Sequence, residues 1–143
     1  MSLWETIAAD IAAATGQQAD LSGQVSTGGG CINQTLRVRY GADSYFVKLN
    51  TASRADMFAA EAQGLRELQN SHTLKVPDPV CWGDDGDSAY LVLEDLELGS
   101  QGDLAALGEG LAAMHRVTRR QFGWERDNTI GSTLQLNACL LYT

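Results

Sequence analysis

The sequence predicts an α+β fold: a five-stranded antiparallel sheet with one helix before it and one inside it, followed by a further helix and a loop. Three observations lead there. Apolar residues alternate with polar ones in short runs between Leu21 and Leu93, the period of two that a half-buried strand shows. Trp4 to Ile11 and Phe58 to Leu68 instead repeat apolar residues every three or four positions, as an amphipathic helix does. Beyond Gly99 the strand pattern gives way to a helical one. The predicted boundaries are a sheet unit over 1–98 and the start of a helical unit over 99–143, made of a helix over 103–120, a loop over 122–133 and a tail over 138–143.

Each element follows from its local pattern. Trp4, Ile7, Ala8 and Ile11 share one face of an opening helix that Gly16 can end, and its task is to pack on the sheet. Leu21 to Ser26 is the first strand. Ile32, Leu36, Val38 and Tyr40 alternate through a second, and Gly41-Ala42-Asp43 turns the chain into a third. There Tyr45, Val47 and Leu49 point one way, while Phe46, Lys48 and Asn50 point the other. Phe58, Ala62, Leu65 and Leu68 mark the next helix, with Ser53 and Asp56 spaced as a capping box. Glu61 lies in that apolar stripe; Glu67 is turned away from it and is expected in solvent.

Val76-Pro77-Asp78-Pro79 breaks any helix and leads in extended form to Val80-Cys81-Trp82. The acidic stretch Gly83 to Ser88 lacks the twelve-residue calcium loop with its terminal glutamate, so it reads as a solvated hairpin turn. Ala89 to Leu93 is the most apolar strand and is expected to be central or well covered. Glu94-Asp95-Leu96-Glu97-Leu98-Gly99 then forms an extended connection. Asp103 is placed to cap a helix bearing Leu104, Leu107, Leu111 and Met114 on one face and ending in Arg116, Arg119 and Arg120. His115 has no second ligand at metal spacing and reads as a helix-end residue. Phe122 to Ser132 shows neither period; such a loop could line a site for a polar organic substrate, with Trp124 and Asn128 as candidate contacts.

Composition narrows the function classes. At 143 residues the chain can bury a core of ordinary domain size, and 44% hydrophobic with 20% charged residues describes a globular protein. A formal charge of −8 argues against a nucleic-acid or anionic-membrane surface, so neither partner is expected. No apolar run approaches a membrane span, and the first residues lack the order of a signal peptide, which makes the cytoplasm the expected compartment. Cys31, Cys81 and Cys139 are too scattered for a disulfide framework, and no C-x-x-C pair suggests zinc.

The chemistry-bearing pattern lies between the first strand and the second helix. Gly28, Gly29 and Gly30 remove every Cβ from one turn, so its backbone N–H groups can approach a phosphate closely. The chain leaves these glycines as a strand, and neither G-x-x-x-x-G-K-[ST] nor G-x-G-x-x-G is present, which sets aside a P-loop and a dinucleotide fingerprint. A glycine turn between antiparallel strands is instead the lid of a protein-kinase-like fold. Lys48 sits mid-strand among apolar residues, where an ammonium must reach water or find an anion. Glu61 offers that anion. In kinases such a pair orients the α- and β-phosphates of ATP. Glu94, Asp95 and Leu96 then fall at the hinge between lobes, where backbone groups can pair with the adenine edge. The candidate nucleotide-binding residues are therefore Gly28, Gly29, Gly30, Lys48, Glu61, Glu94, Asp95 and Leu96, with ATP as the ligand. Cys31, beside the glycine loop, is either a redox-sensitive thiolate or a small residue packed on a strand.

T-G-G-G-C-I-N-Q, Y-F-V-K-L-N, M-F-A-A-E-A-Q-G-L, V-P-D-P, Y-L-V-L-E, L-G-E-G-L-A-A-M-H-R and F-G-W-E-R-D-N-T-I-G-S-T, in that order, resemble the fructosamine (ketoamine) kinases. These are small-molecule kinases of the protein-kinase-like fold, akin to aminoglycoside phosphotransferases and choline kinases. The resemblance covers Trp4 to Asn137. It implies phosphoryl transfer from Mg-ATP to a sugar hydroxyl of a ketoamine on a lysine or small amine, after which the adduct decomposes and the amine is restored. It also implies an H-G-D catalytic loop, whose aspartate takes the hydroxyl proton, and a later aspartate that holds Mg2+. No H-G-D, D-F-G or D-P-A follows His115 here, so the catalytic base and the magnesium ligands are expected outside this chain.

By this resemblance the chain is a nucleotide-binding lobe with the start of a second lobe, and it is expected to be inert alone. Residues 138–143 do not look like the family's continuation and read as a truncation or frameshift scar. The stripe Leu104, Leu107, Leu111, Met114 would then be exposed and adhesive, so a homo-oligomer through that helix, or through Cys31, is expected. The alternatives are another kinase of the same fold, acting on an aminoglycoside, choline or similar alcohol, and a non-catalytic nucleotide-binding or dimerising module.

Overall fold

The alternating runs become one antiparallel sheet of five strands, β1 (Leu21–Ser26), β2 (Gln34–Tyr40), β3 (Asp43–Thr51), β4 (Pro79–Asp84) and β5 (Ser88–Glu94), in the order β1-β2-β3-β5-β4. The computed structural model describes residues 1–28, 32–99, 101–120 and 122–137; Gly29, Gly30, Cys31 and the tail 138–143 lie outside them. Helix α1 (Leu3–Thr15) covers one face of the sheet, and helix α2 (Ala55–Gln69), between β3 and β4 in the chain, covers the other.

The two faces sort the side chains as a period of two requires. Tyr45, Val47 and Leu49 of β3 join Leu36, Val38, Tyr90 and Val92 against Ile7 and Ile11 of α1. Phe46 turns the other way and packs with Leu91, Leu93 and Phe58 of α2. Strand β5 feeds both clusters, which is why Ala89 to Leu93 is apolar without alternation and buried throughout. Fully burying one such side chain contributes about 1.5–3 kcal/mol, so burial is what docks both helices. Helix α1 is further fixed by Asp10, which accepts the Tyr90 hydroxyl proton at 2.5 Å. Burial and that bond push the Tyr90 phenol well above its ordinary range. Gly16 ends α1 as expected, and Ser2 and Glu5 form a capping box at its start.

Four local expectations are corrected. Helix α2 has no Ser53–Asp56 capping box: a single 3-10 turn, Ala52–Arg54, precedes it, and Arg54 occupies the cap without a side-chain bond. The Ser53 hydroxyl lies against that of Thr51 at 3.0 Å, and the Asp56 carboxylate is engaged by Arg126. Ile32 precedes strand β2 instead of belonging to it. The helix expected over 103–120 is α3 (Leu104–Met114), capped by Asp103 but ending before its arginines. There the N–H groups of Arg116 and Val117 bond three residues back, tightening the last turn, and β-branched Val117 and Thr118 follow. Finally, the loop over 122–133 contains a short hairpin, β6 (Asn128–Ile130) and β7 (Thr133–Gln135), whose strands are too brief to show a period.

The stripe on α3 faces solvent, with Leu104, Leu107 and Leu111 79%, 52% and 45% exposed. Helix α3 meets the sheet unit at Gly110, where an added Cβ would overlap the Leu74 side chain. The acidic stretch after β4 is a hairpin turn whose aspartates accept backbone N–H groups, Asp84 from Gly86 and Asp85 from Asp87 and Ser88. Among the described residues, no helix is long and apolar enough to cross a membrane.

Candidate functional site

Lys48 stands opposite Thr35 of β2 and Leu91 of β5, on the face that α2 covers. Glu61 comes from the middle of α2 and meets it: the Lys48 Nζ donates to Glu61 Oε1 at 2.6 Å and to Oε2 at 2.7 Å. Their side chains are 19% and 31% exposed, so water screens this pair less than a surface pair. The two residues that the sequence placed on facing apolar surfaces are thus brought together.

The ion pair lies between two cavities. The first, about 680 Å³, runs from the end of β1 to the connection after β5 and is within the range of small-molecule sites. Thr27, Gly28, Asn33, Thr35 and Lys48 give it a polar end; elsewhere the apolar Phe46, Pro77, Leu93, Leu96 and Leu98 line it together with the charged Arg37, Glu94 and Asp95. The second, about 420 Å³, lies beside α2 and is lined by Asn33, Lys48, Glu61, Leu65, Trp124 and Asn128 among others.

The residues on either side of the glycine triplet, Thr27-Gly28 and Ile32-Asn33, are tied to the sheet. Gly28 adopts φ +64°, a left-handed conformation that glycine takes without strain. The Thr27 hydroxyl donates to Thr35 Oγ1 at 2.9 Å, and the Thr35 hydroxyl donates to the Gly28 carbonyl at 3.2 Å. On the other side, Asn50 Nδ2 donates to Asn33 Oδ1 at 2.7 Å and to the Ile32 carbonyl at 3.1 Å. Gly29, Gly30 and Cys31, also singled out from the sequence, fall outside the described residues.

At the opposite end, Glu94 accepts from Lys75 Nζ at 2.6 Å on both oxygens and from the Asp78 N–H at 3.2 Å. The Lys75 hydrogen bond holds its carboxyl below the ordinary range, against a smaller opposing effect of burial. The Glu94 N–H donates to the Asp78 carbonyl at 2.8 Å. Asp95 pairs with Arg37 Nε at 2.6 Å, linking the connection back to β2. Leu96 lines the cavity.

Several lining residues were not picked out from the sequence. Phe46 shares the Lys48 face, so alternation could have found it. Arg37 occupies a position that alternation assigns to solvent, and its partner lies 58 residues away, so no local signal marks it. Glu67 is corrected outright: it was expected in solvent, but accepts from Trp124 Nε1 at 2.6 Å and from Arg119 Nη2 at 2.7 Å. Trp124 and Asn128 both border the second cavity, and Asn128 Oδ1 accepts from Asn137 Nδ2 at 2.6 Å. His115 is the C-cap of α3. Cys81 is half-buried, and burial, with the Asp10 charge second, pushes its thiol up to about 12.

Comparison with known proteins shows what the chain is similar to. The model of the family described as fructosamine kinase matches residues 3–140. A probable ketoamine kinase of Synechocystis sp. is 44% identical over 137 residues, covering 94% of this chain and 46% of that protein. The chloroplastic protein-ribulosamine 3-kinase of Arabidopsis thaliana is 42% identical over 116 residues, covering 78% of this chain and 36% of that one. Among solved structures, a provisionally named fructosamine-3-kinase of Haemophilus somnus shares the fold with a TM-score of 0.87 at 24% identity, covering 95% of this chain and 47% of that one. Another, of Thermobifida fusca, has a TM-score of 0.70 at 27% identity over 94% of this chain and 46% of that one. The chain therefore spans about half, or less, of the length of the relatives it matches.

Proposed function

The chain belongs to the fructosamine kinase family, and on that premise we propose that it is the ATP-binding part of a kinase that phosphorylates ketoamines on lysines or small amines. The observation that carries this reading is the Lys48–Glu61 pair, closed at 2.6 and 2.7 Å at the polar end of the larger cavity. An ammonium has three donors, and the carboxylate takes two, leaving one for a phosphate oxygen. Glu61 thereby fixes where that donor sits. Thr27 and Gly28 line the same end, and Phe46, Leu93 and Leu96 offer apolar surface for the base. Because the Glu94 N–H already serves Asp78, the adenine edge falls to the backbone of Asp95 and Leu96. The division into a lobe over 1–98 and the start of a second lobe over 99–143 belongs to the same reading.

ATP supplies the phosphoryl group to be transferred; this chain's residues bind and orient it. Each carboxylate named in the cleft is held by a cation, Glu61 by Lys48, Glu94 by Lys75 and Asp95 by Arg37. None is therefore poised to take a hydroxyl proton. The ligands of Mg2+, like the catalytic base, belong in this reading to residues outside this chain. We accordingly expect these 143 residues to bind ATP without turning it over. The second cavity, with Asn33, Trp124 and Asn128 on its walls, is the place offered to the sugar of the ketoamine. A cytoplasmic location goes with this reading, because ATP is supplied there.

Calorimetric titration with ATP tests it. The chain is expected to bind, and Lys48→Ala to bind 10- to 100-fold more weakly, the loss of a charge-assisted hydrogen bond of about 1.5–3 kcal/mol. No ADP release above the Lys48→Ala level is expected with a fructosamine substrate. Absence of binding, unchanged binding in Lys48→Ala, or turnover above that control would contradict the proposal.

A further inference from the structure

The segment after α3 meets two parts of the candidate site at once. Trp124 Nε1 donates to Glu67 Oε1 at 2.6 Å, and Arg119 Nη2 reaches the other Glu67 oxygen at 2.7 Å. The Arg126 guanidinium pairs with the Asp56 carboxylate and donates to the Asp56 carbonyl at 3.3 Å. Asp56 and Glu67 lie near opposite ends of α2, with Glu61 between them. At the hairpin tip, Gly131 at φ +62° leaves room for Ile32: a Cβ there would lie 2.7 Å from Ile32 Cδ1. The segment thus touches α2 through Arg119, Trp124 and Arg126, and Ile32 through Gly131.

The segment is closed on itself well enough to transmit such a constraint. The Trp124 N–H donates to the Asn137 carbonyl at 2.9 Å, the Asn137 N–H to Asp127 Oδ1 at 2.8 Å, and the Asn137 amide to Asn128 Oδ1 at 2.6 Å. The start of helix α2 carries no side-chain cap, and the helix is seated by Phe58 and Ala62, with Met57 and Leu65 beside them, against Leu91 and Leu93. A slide by one residue shifts Glu61 along the helix axis by about 1.5 Å, enough to break a bidentate contact.

We infer that Arg119, Trp124 and Arg126 brace α2 in the position where Glu61 meets Lys48, and that Trp124 and Arg126 are positioning residues for the nucleotide site. The inference rests on the nucleotide reading above and adds a dependence to it: the lysine is prepared by residues more than seventy positions downstream. The indole N–H of Trp124 serves α2, while its ring borders the second cavity. Pinning at both ends stops α2 from sliding and from tilting. The Ile32–Gly131 contact sets Ile32, which lines both cavities, against the same segment.

Amide hydrogen exchange of the 143-residue chain, read by mass spectrometry, tests the brace without nucleotide. In the double variant Trp124→Phe/Arg126→Gln, exchange across α2 is expected to quicken at least tenfold while β3 and β5 keep their protection. ATP affinity should fall to the level of Glu61→Gln, and adding Glu61→Gln to the double variant should cost nothing further. The swapped pair Asp56→Arg/Arg126→Asp should restore α2 protection that Arg126→Asp alone loses. Unchanged α2 exchange, loss spread equally over β3 and β5, or full additivity with Glu61→Gln would overturn the inference. If the wild-type chain binds no ATP, the nucleotide reading fails, and the α2 exchange still decides the brace.

Discussion

Phe58 of α2 and Val47 of β3 expose no surface, whereas Leu104 and Leu107 of α3 lie largely in solvent. The sheet unit is held by apolar burial on both faces. Among the described residues from Asp103 to Asn137, the ties to the sheet unit are directional polar contacts, Arg119 and Trp124 to Glu67 and Arg126 to Asp56, with close approaches at Gly110 to Leu74 and at Gly131 to Ile32. Burial summed over many side chains supplies stability; a few charged pairs at a surface supply placement and little free energy. The site needs both, because Lys48 is set by the sheet and Glu61 by a helix that the later segment holds.

That contrast can be broken by substitution. The largest effect is expected for Phe58→Ala, a loss of about 3–5 kcal/mol from a protein whose total stability is of order 5–15 kcal/mol. Leu107→Ala should stay within about 0.5 kcal/mol. Urea denaturation compares them, and equal losses would erase the distinction between the two regions. Asp103→Ala removes the cap whose Oδ1 accepts from Ala105 and Ala106. It should cost about 1 kcal/mol, confined to α3. Hydrogen exchange that also rises in β3 would show the regions to be one cooperative unit.

The same contrast explains what the sequence made legible. Period-two alternation announced β2 and β3, and the face of Lys48, because burial on one side of a sheet leaves that pattern, while β5 showed as an unbroken apolar run because it is covered on both faces. The Glu61 position was legible for the same reason on a helix. Glu67 was misread because its own helix does turn it outward; its partners, Trp124 and Arg119, arrive from a region without a period. Arg37–Asp95 and Asn33–Asn50 were invisible for the same cause: a hydrogen bond between distant residues leaves no local repeat. The end of α3 was overrun because a row of arginines reads as a helix C-terminus, although Arg119 is drawn across to α2 instead.

Smaller effects sharpen the comparison at the surface. Replacing Leu104, Leu107 and Leu111 together by glutamine should leave the denaturation midpoint nearly unchanged, yet reduce self-association that we expect of the exposed stripe. Sedimentation of the parent chain as a clean monomer at tens of micromolar would remove that expectation. The least effect is at Glu94. Its carboxyl is held below its ordinary 4.5 by Lys75, so the pair stabilises the fold above that pH and ceases to as pH falls through the folded value. The stability gap between the parent chain and Lys75→Met should therefore close on acidification; a gap that widens would reverse the sign.

Lys48 and Lys75 are the only lysines in the sequence, and they stand on opposite sides of the nucleotide assignment. An acyl-phosphate derivative of ATP transfers its acyl group to an amine beside the phosphates, releasing the nucleotide, and mass spectrometry locates the new amide. Labelling of Lys48 that excess ATP suppresses, with Lys75 untouched by that competition, is the expected result. Labelling of Lys75 in preference, or labelling of Lys48 that ATP does not suppress, would show that the Glu61-bound ammonium does not face a nucleotide.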